Sequence, residues 1–238
     1  MRQSLPAAHS RSEGRPGTLA ALGIAVALSL AASLNPWHAA PSRGSPVPAP
    51  PETLLREGDL LFRRGLSPLS RFVLDVDSSA KYSHVGILAR VDGRLCVVHV
   101  SVGEDEPAPD RVRRDSLPAF LAGDRAAAWA LYRLREGADR VGPLAAAAAR
   151  RYLARRVAFD PAFDLRDETR LYCTELAWRA FREAGVDLAR GPLDTFSLLG
   201  ATRPMLSVSR LTSSPELQHV YSFPSSTRTA VHDQRGRP

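Results

Sequence analysis

Cysteine is scarce in this 238-residue chain: there are two, Cys96 and Cys173, alongside two methionines. Neither stands directly after the apolar stretch near the start, which excludes a lipoprotein-type lipidated cysteine. Lysine occurs once, at Lys81, and arginine supplies the remaining basic charge, a bias of composition rather than of function. The basic residues nowhere form a run interleaved with aromatics, so nucleic acid is not an expected partner. Residues 1–51 hold four arginines and one glutamate, leaving +4 of the formal +7 on the remainder, a mild excess suited to an anionic membrane or cell-wall surface. There is no internal repeat and no short metal-binding motif, so no metal or other cofactor is expected. The longest apolar run, Leu19 to Leu34, sits at the short end of the roughly 17 to 25 residues that span a bilayer.

What is present divides the chain. Arg2, Arg11 and Arg15 ahead of that run give residues 1–35 the layout of an export signal or a membrane anchor. Residues 36–51 contain Pro36, Pro41, Pro46, Pro48, Pro50 and Pro51 and read as an extended linker. The domain is expected over 52–224, with a disordered tail over 225–238. Within it, Leu60-Leu61-Phe62 reads as a strand and Leu69 to Leu74 as a helical turn. Asp92-Gly93 joins two β-rich runs, His84–Arg90 and Arg94–Val102, a strong hairpin signal. Trp129 to Leu134 is a further strand, and the alanine- and arginine-rich stretch from Val141 to Arg156 a helix. Cys173 to Ala184 places Leu176, Ala177, Ala180 and Phe181 on one apolar stripe and stops at Gly185, which marks a second helix. One more strand is expected near His219 to Phe223.

The hairpin brings two histidines together. With Asp92-Gly93 as a two-residue turn, Val91 faces Arg94, Gly86 faces His99, and His84 faces Ser101 with His99 as its diagonal neighbour on the same side. Glycine opposite His99 leaves room for both rings. The same register sends Cys96 to the opposite face, as a small core residue, and argues against a Cys96–Cys173 disulfide. Cys173 opens a helix, where unpaired N–H groups and the positive end of the dipole favour a thiolate, and an adjacent imidazolium would lower its pKa further. Asp59, Asp160 and Asp164 read as turn- and loop-fixing residues, and Glu175 as a complement to the helix dipole.

Gly58-Asp59-Leu60-Leu61-Phe62, Ser83-His84-Val85-Gly86-Ile87 and Tyr172-Cys173-Thr174-Glu175-Leu176, in that order, resemble the motifs of the permuted papain-like enzymes of the YaeF/YiiX group, distant relatives of NlpC-type peptidases and of lecithin:retinol acyltransferase. The resemblance implies an α+β, circularly permuted papain-like (NlpC-type) fold, with a small antiparallel sheet packed against helices. It implies Cys173 as nucleophile and His84 as general base. It places an orienting residue on the strand after the turn, often glutamate in the family and histidine in the acyltransferase branch; here that residue is His99.

The expected chemistry is acyl transfer through a thioester. His84 holds Cys173 as thiolate, and the Cys173 N–H serves as oxyanion donor, with Tyr82 as a candidate second donor. The expected protein is an exported cysteine hydrolase, amidase- or peptidase-like, periplasmic or extracytoplasmic, acting on a cell-envelope peptide, lipid or small amide. A lipid acyltransferase or acyl hydrolase is the alternative within the same class. Two rivals come from other classes: a His₂Cys zinc hydrolase built on His84, His99 and Cys173, and a binding module that holds a lipid or glycopeptide without turning it over.

Overall fold

The computed structural model describes residues 47–102, 110–198 and 201–224. The expectations for residues 1–35, for most of the linker and for the tail after 225 fall outside these. Among the described residues no helix is long and apolar enough to cross a membrane.

Among the described residues ten strands and five α-helices follow one another: β1 (Leu60–Gly65), α1 (Pro68–Val76), β2 (His84–Val91), β3 (Arg94–Ser101), β4 (Arg111–Asp115), α2 (Leu117–Phe120), β5 (Ala126–Leu134), α3 (Ala138–Ala154), β6 (Ala158–Phe159), β7 (Arg170–Leu171), α4 (Cys173–Glu183), β8 (Asp194–Leu198), β9 (Ala201–Met205), α5 (Val208–Thr212) and β10 (Leu217–Phe223). Eight strands form one sheet in the order β10-β5-β1-β2-β3-β4-β6-β7, and β8 and β9 pair separately. The sheet is therefore large where a small one was expected, and it is mixed where an antiparallel one was expected, because β6 and β7 run parallel. The additional strands carry little apolar signal: β4 reads Arg-Val-Arg-Arg-Asp, and β6 and β7 are two residues each.

Period-two alternation sorts the side chains onto two faces. Phe62, Val85, Ile87 and Val98 turn toward α3 and α4 and pack with Ala145, Ala149, Leu176 and Phe181. Leu61, Leu88, Val97, Trp129 and Leu131 turn the other way and pack with Phe120 and Leu121. Each fully buried leucine or phenylalanine in these layers contributes about 1.5–3 kcal/mol. The alanines of α3 let it lie close on the sheet. Gly142 carries this furthest: a Cβ at Gly58, itself at φ +84°, would stand 2.3 Å from the Gly142 Cα. Asp59 fixes the turn before β1, accepting the Arg56 N–H at 2.9 Å and both Arg133 Nε at 2.7 Å and an Arg133 terminal nitrogen at 2.8 Å.

The β2–β3 turn has the expected register. Asp92 and Gly93 both take positive φ, 51° and 76°, as a type I′ turn requires. Val91 pairs with Arg94 and Ala89 with Cys96. Packing begins ahead of Glu52, since Pro48 accepts a 2.7 Å hydrogen bond from the Trp129 indole and Val47 lies against the second apolar layer. The last part of the proline-rich stretch is thus docked on the domain.

Candidate active site

His84 and His99 project from neighbouring strands onto one face. The pairing of β2 with β3 ends at Ile87 and Val98, yet the two rings meet, with His84 Nε2 3.0 Å from His99 Nδ1. Gly86 makes the space: a Cβ there would lie 2.3 Å from Val97 Cγ1 and 3.1 Å from His99 Cβ. Phe120 closes the side away from the strands, its ring 5.6 Å from that of His84 and 5.0 Å from that of His99.

A third member of this polar line lies on β4. Asp115 Oδ2 stands 3.1 Å from His99 Nε2, and both residues are buried. Asp115 also accepts from Arg113, at 3.0 and 2.9 Å, and from Arg125 at 3.4 Å. Burial by itself raises the carboxyl, but the His99 hydrogen bond, with Arg113, outweighs it and holds the group at about 2. Sequence reasoning ends the line of polar groups at His99 and misses this carboxylate. The signal for Asp115 is faint: it stands three residues after Val112, whose side chain enters the helix-side core, and it precedes Ser116, which caps α2 by accepting the Ala119 N–H.

Hydrogen-bond logic then sets the tautomers. A carboxylate only accepts, so His99 Nε2 carries hydrogen and its Nδ1 is the acceptor. His84 Nε2 must donate to that Nδ1, which leaves His84 Nδ1 with a lone pair and base character. Burial first, then the charge of Arg63, push His84 well below the usual imidazole range. His84 is therefore a neutral base near pH 7.

Cys173 is the first residue of α4, following Tyr172 as N-cap. Tyr172 offers no side-chain cap. Glu175 at the third helical position is fully buried and ion-paired with Arg179 at 2.8 Å; burial is the larger effect and raises its carboxyl to about 7, against Arg179 and the Tyr172 N–H, which lower it. Thr174 donates to the Leu206 carbonyl at 2.6 Å, and the Tyr172 hydroxyl accepts from the Leu206 N–H at 2.9 Å, which pins the helix start. Because the β2–β3 ladder stops at Ile87, the Val85 N–H is not spent on Val100; it points at the Cys173 sulfur, together with the N–H groups of Thr174 and of Cys173 itself. These donors favour a thiolate, but burial is the larger effect and pushes the thiol up to about 11. This corrects the expectation of a thiolate held at rest: the pair rests as thiol and neutral imidazole.

Cys173, His84 and Ser83 share a small cleft, partly open to solvent, whose remaining wall is largely apolar. Cys173 reaches it from the helix side of the sheet, the same side as Cys96. The reason for the missing disulfide therefore differs from the one expected: both thiols are free, Cys96 lies near the hairpin turn, donating to the Ala89 carbonyl at 3.2 Å, and Cys173 lies beside Val85. Four residues of strand separate those levels, roughly 13 Å, well beyond disulfide reach. Tyr82 does not line the cleft. It packs on Phe62, with ring centres 6.1 Å apart, and burial followed by Tyr132 pushes its phenol up to about 12. Asp160 fixes a loop, accepting from the N–H groups of Ala162 and Asp164.

Comparison with known proteins agrees with this architecture. No curated protein matches the chain. Among solved structures, the crystal structure of the metalloprotein yiiX from Escherichia coli O157:H7 is similar at a TM-score of 0.55 and 21% identity, covering 69% of this chain and 96% of that one. The family described as permuted papain-like amidase enzyme, YaeF/YiiX, C92 family, matches residues 54–220. The chain, with its histidine-bearing hairpin ahead of its cysteine-bearing helix, belongs to that family.

Proposed function

We propose that the protein is an exported cysteine hydrolase that opens an amide or ester of the cell envelope through a thioester, with Cys173 as nucleophile, His84 as base and His99 as the residue that orients it. The observation that carries this reading is the convergence of the Cys173 thiol and the His84 imidazole on one cleft, with Asp115 and His99 fixing the His84 tautomer. His84 Nδ1 takes the thiol proton as the sulfur bonds to the substrate carbonyl carbon. The proton then passes to the leaving nitrogen or oxygen as its bond to carbon breaks. Water, deprotonated by His84, attacks the thioester, and the sulfur leaves with the proton returned. The Cys173 N–H, at the helix start, is the donor nearest the developing oxyanion.

One observation favours an apolar acyl group over a charged stem peptide. Leu69, Val73, Val100, Val102, Phe159 and Phe163 wall the cleft, and among its described lining residues His84 is the one ionisable group besides Cys173 and Tyr172. A lipid acyl ester or amide fits such a wall better than a substrate bearing carboxylates and ammonium groups.

The yiiX neighbour is described as a metalloprotein, and the residues here do not fit a metal. His99 has both nitrogens engaged, by His84 and by Asp115, so His84 Nδ1 and the Cys173 sulfur remain as two donors where zinc sites take three or more. Among the described residues no group of three His, Cys, Asp or Glu side chains is placed to hold a metal ion.

The test is activity-based labelling of Cys173 in native protein and in His84→Ala, with mass analysis of any acyl group trapped on sulfur. The expected outcome is labelling that survives a chelator and falls at least about 100-fold without His84. Labelling indifferent to His84, or activity lost with EDTA and restored by zinc, would sink the proposal.

A further inference from the structure

Arg63 takes no part in these proton transfers, yet it stands on the strand next to His84. It sits on β1 directly opposite His84 on β2, on the same face, and is buried to 1% exposure. A guanidinium taken that far out of water is costly unless its surroundings hold it in place. Here it is held. Its terminal nitrogen donates to the Phe120 carbonyl at 2.7 Å, and its guanidinium carbon lies 4.4 Å above the centre of the Phe120 ring. That ring also touches both imidazoles, so Arg63, Phe120, His84 and His99 form one packed block.

We propose that Arg63 is a positioning residue of the active site, a fixed buried cation that biases the Cys173–His84 pair toward thiolate and neutral imidazole. The inference rests on the assignment of that pair as the acting groups. Its physical basis is simple Coulomb interaction at low screening. The guanidinium repels a proton on His84 and attracts negative charge on Cys173, and both groups respond to it in that direction. In a pair that loses two protons in coupled steps, a nearby fixed cation lowers both macroscopic midpoints together. Among the described residues, the other charged or titratable groups around the pair include His99 and Asp115, with Arg113 and Arg125 behind them, and Tyr172, Glu175 and Asp160 on the cysteine side. Arg63 is a permanent cation that touches the same aromatic ring as His84.

The experiment is the pH dependence of iodoacetamide alkylation of Cys173, in a Cys96→Ala background, for the parent chain, Arg63→Gln and Arg63→Lys. Alkylation needs no substrate, so it separates this inference from the hydrolase reading: loss of His84 dependence in the parent defeats the latter, while an Arg63 result bears on the former alone. The expected result is a profile displaced to higher pH by about one unit in Arg63→Gln, which is about a tenfold slower rate at neutral pH, with Arg63→Lys close to the parent. A merely structural role would lower the denaturation midpoint and leave the pH profile where it was. Coincident profiles for parent and Arg63→Gln, or a displacement in Arg63→Lys as large as in Arg63→Gln, would overturn the proposal. Where Arg63→Gln does not fold, Arg63→Met, which keeps the length of the side chain without its charge, is read in the same way: a profile displaced to higher pH is expected, and one coincident with the parent overturns the proposal.

Discussion

At the scale of the residue, Asp115 shows how a buried charge is made tolerable. Its carboxylate faces His99, Arg113 and Arg125 at once, so its proton affinity in the folded chain lies below the value of 3.8 that an unfolded carboxyl carries. A folded-state value near 2 means that Asp115 stabilises the protein fully above about pH 4 and ceases to do so as the pH falls through 2. Asp115→Asn is therefore expected to lower stability by on the order of 1–2 kcal/mol at neutral pH. Urea denaturation of parent and variant between pH 2 and 7 checks this, and a gap that does not close toward pH 2 contradicts it. The cysteine and the first histidine are legible in the sequence because each sits in a local pattern, a helix start and a strand start. Asp115 is not, because its role depends on a strand with one apolar residue whose partner is set by long-range pairing. The resting charge state is hidden for a related reason: helix position argues for a thiolate, and only the packed structure shows that burial outweighs it.

At the scale of the element, the β2–β3 hairpin is legible almost residue by residue, since two positive-φ positions between alternating runs leave few registers open. The same hairpin separates structural from functional glycine. Gly93 has nothing near its missing Cβ, and Gly93→Ala is expected to cost about 1 kcal/mol of stability through its backbone angle while Cys173 alkylation stays unchanged. Gly86 has ordinary angles but no space. Gly86→Ala forces Val97 and His99 apart at an expected cost of about 1–3 kcal/mol, and alkylation of Cys173 loses its dependence on His84. Denaturation midpoints and alkylation rates for the two variants distinguish them; equal functional loss in both would show that the His84–His99 contact does not depend on the room Gly86 leaves. The two long helices are legible from periodicity and propensity, α4 nearly to the residue, whereas α3 begins a few positions ahead of the sequence expectation. Strands β4 and β6 to β9 escape because they are short, arginine-rich or distant in sequence from their partners.

At the scale of the whole molecule, the sheet grows outward from β1, and its two faces divide the labour: helices bring the thiol from one side, while Arg63, Phe120 and the histidines occupy the other. The extra strands at the β4 edge make the sheet larger than a hydrophobic count suggests. At the far side, residues 47–55 are tied down through Trp129 and Arg133. Trp129→Phe keeps an aromatic ring but removes the donor to Pro48, with an expected loss of about 1 kcal/mol and faster hydrogen exchange confined to residues 47–55. Exchange spread over the β2–β3 hairpin would contradict that confinement. The Val85 amide ties these scales together. A single peptide unit carries both the base, on its preceding residue, and one of the donors that steadies the sulfur. Slipping β2 by one position would turn the imidazole to the wrong face and leave the sulfur facing a different residue's N–H. Nucleophile and base are thus brought together by one alignment of the backbone, and misthreading of that strand parts them.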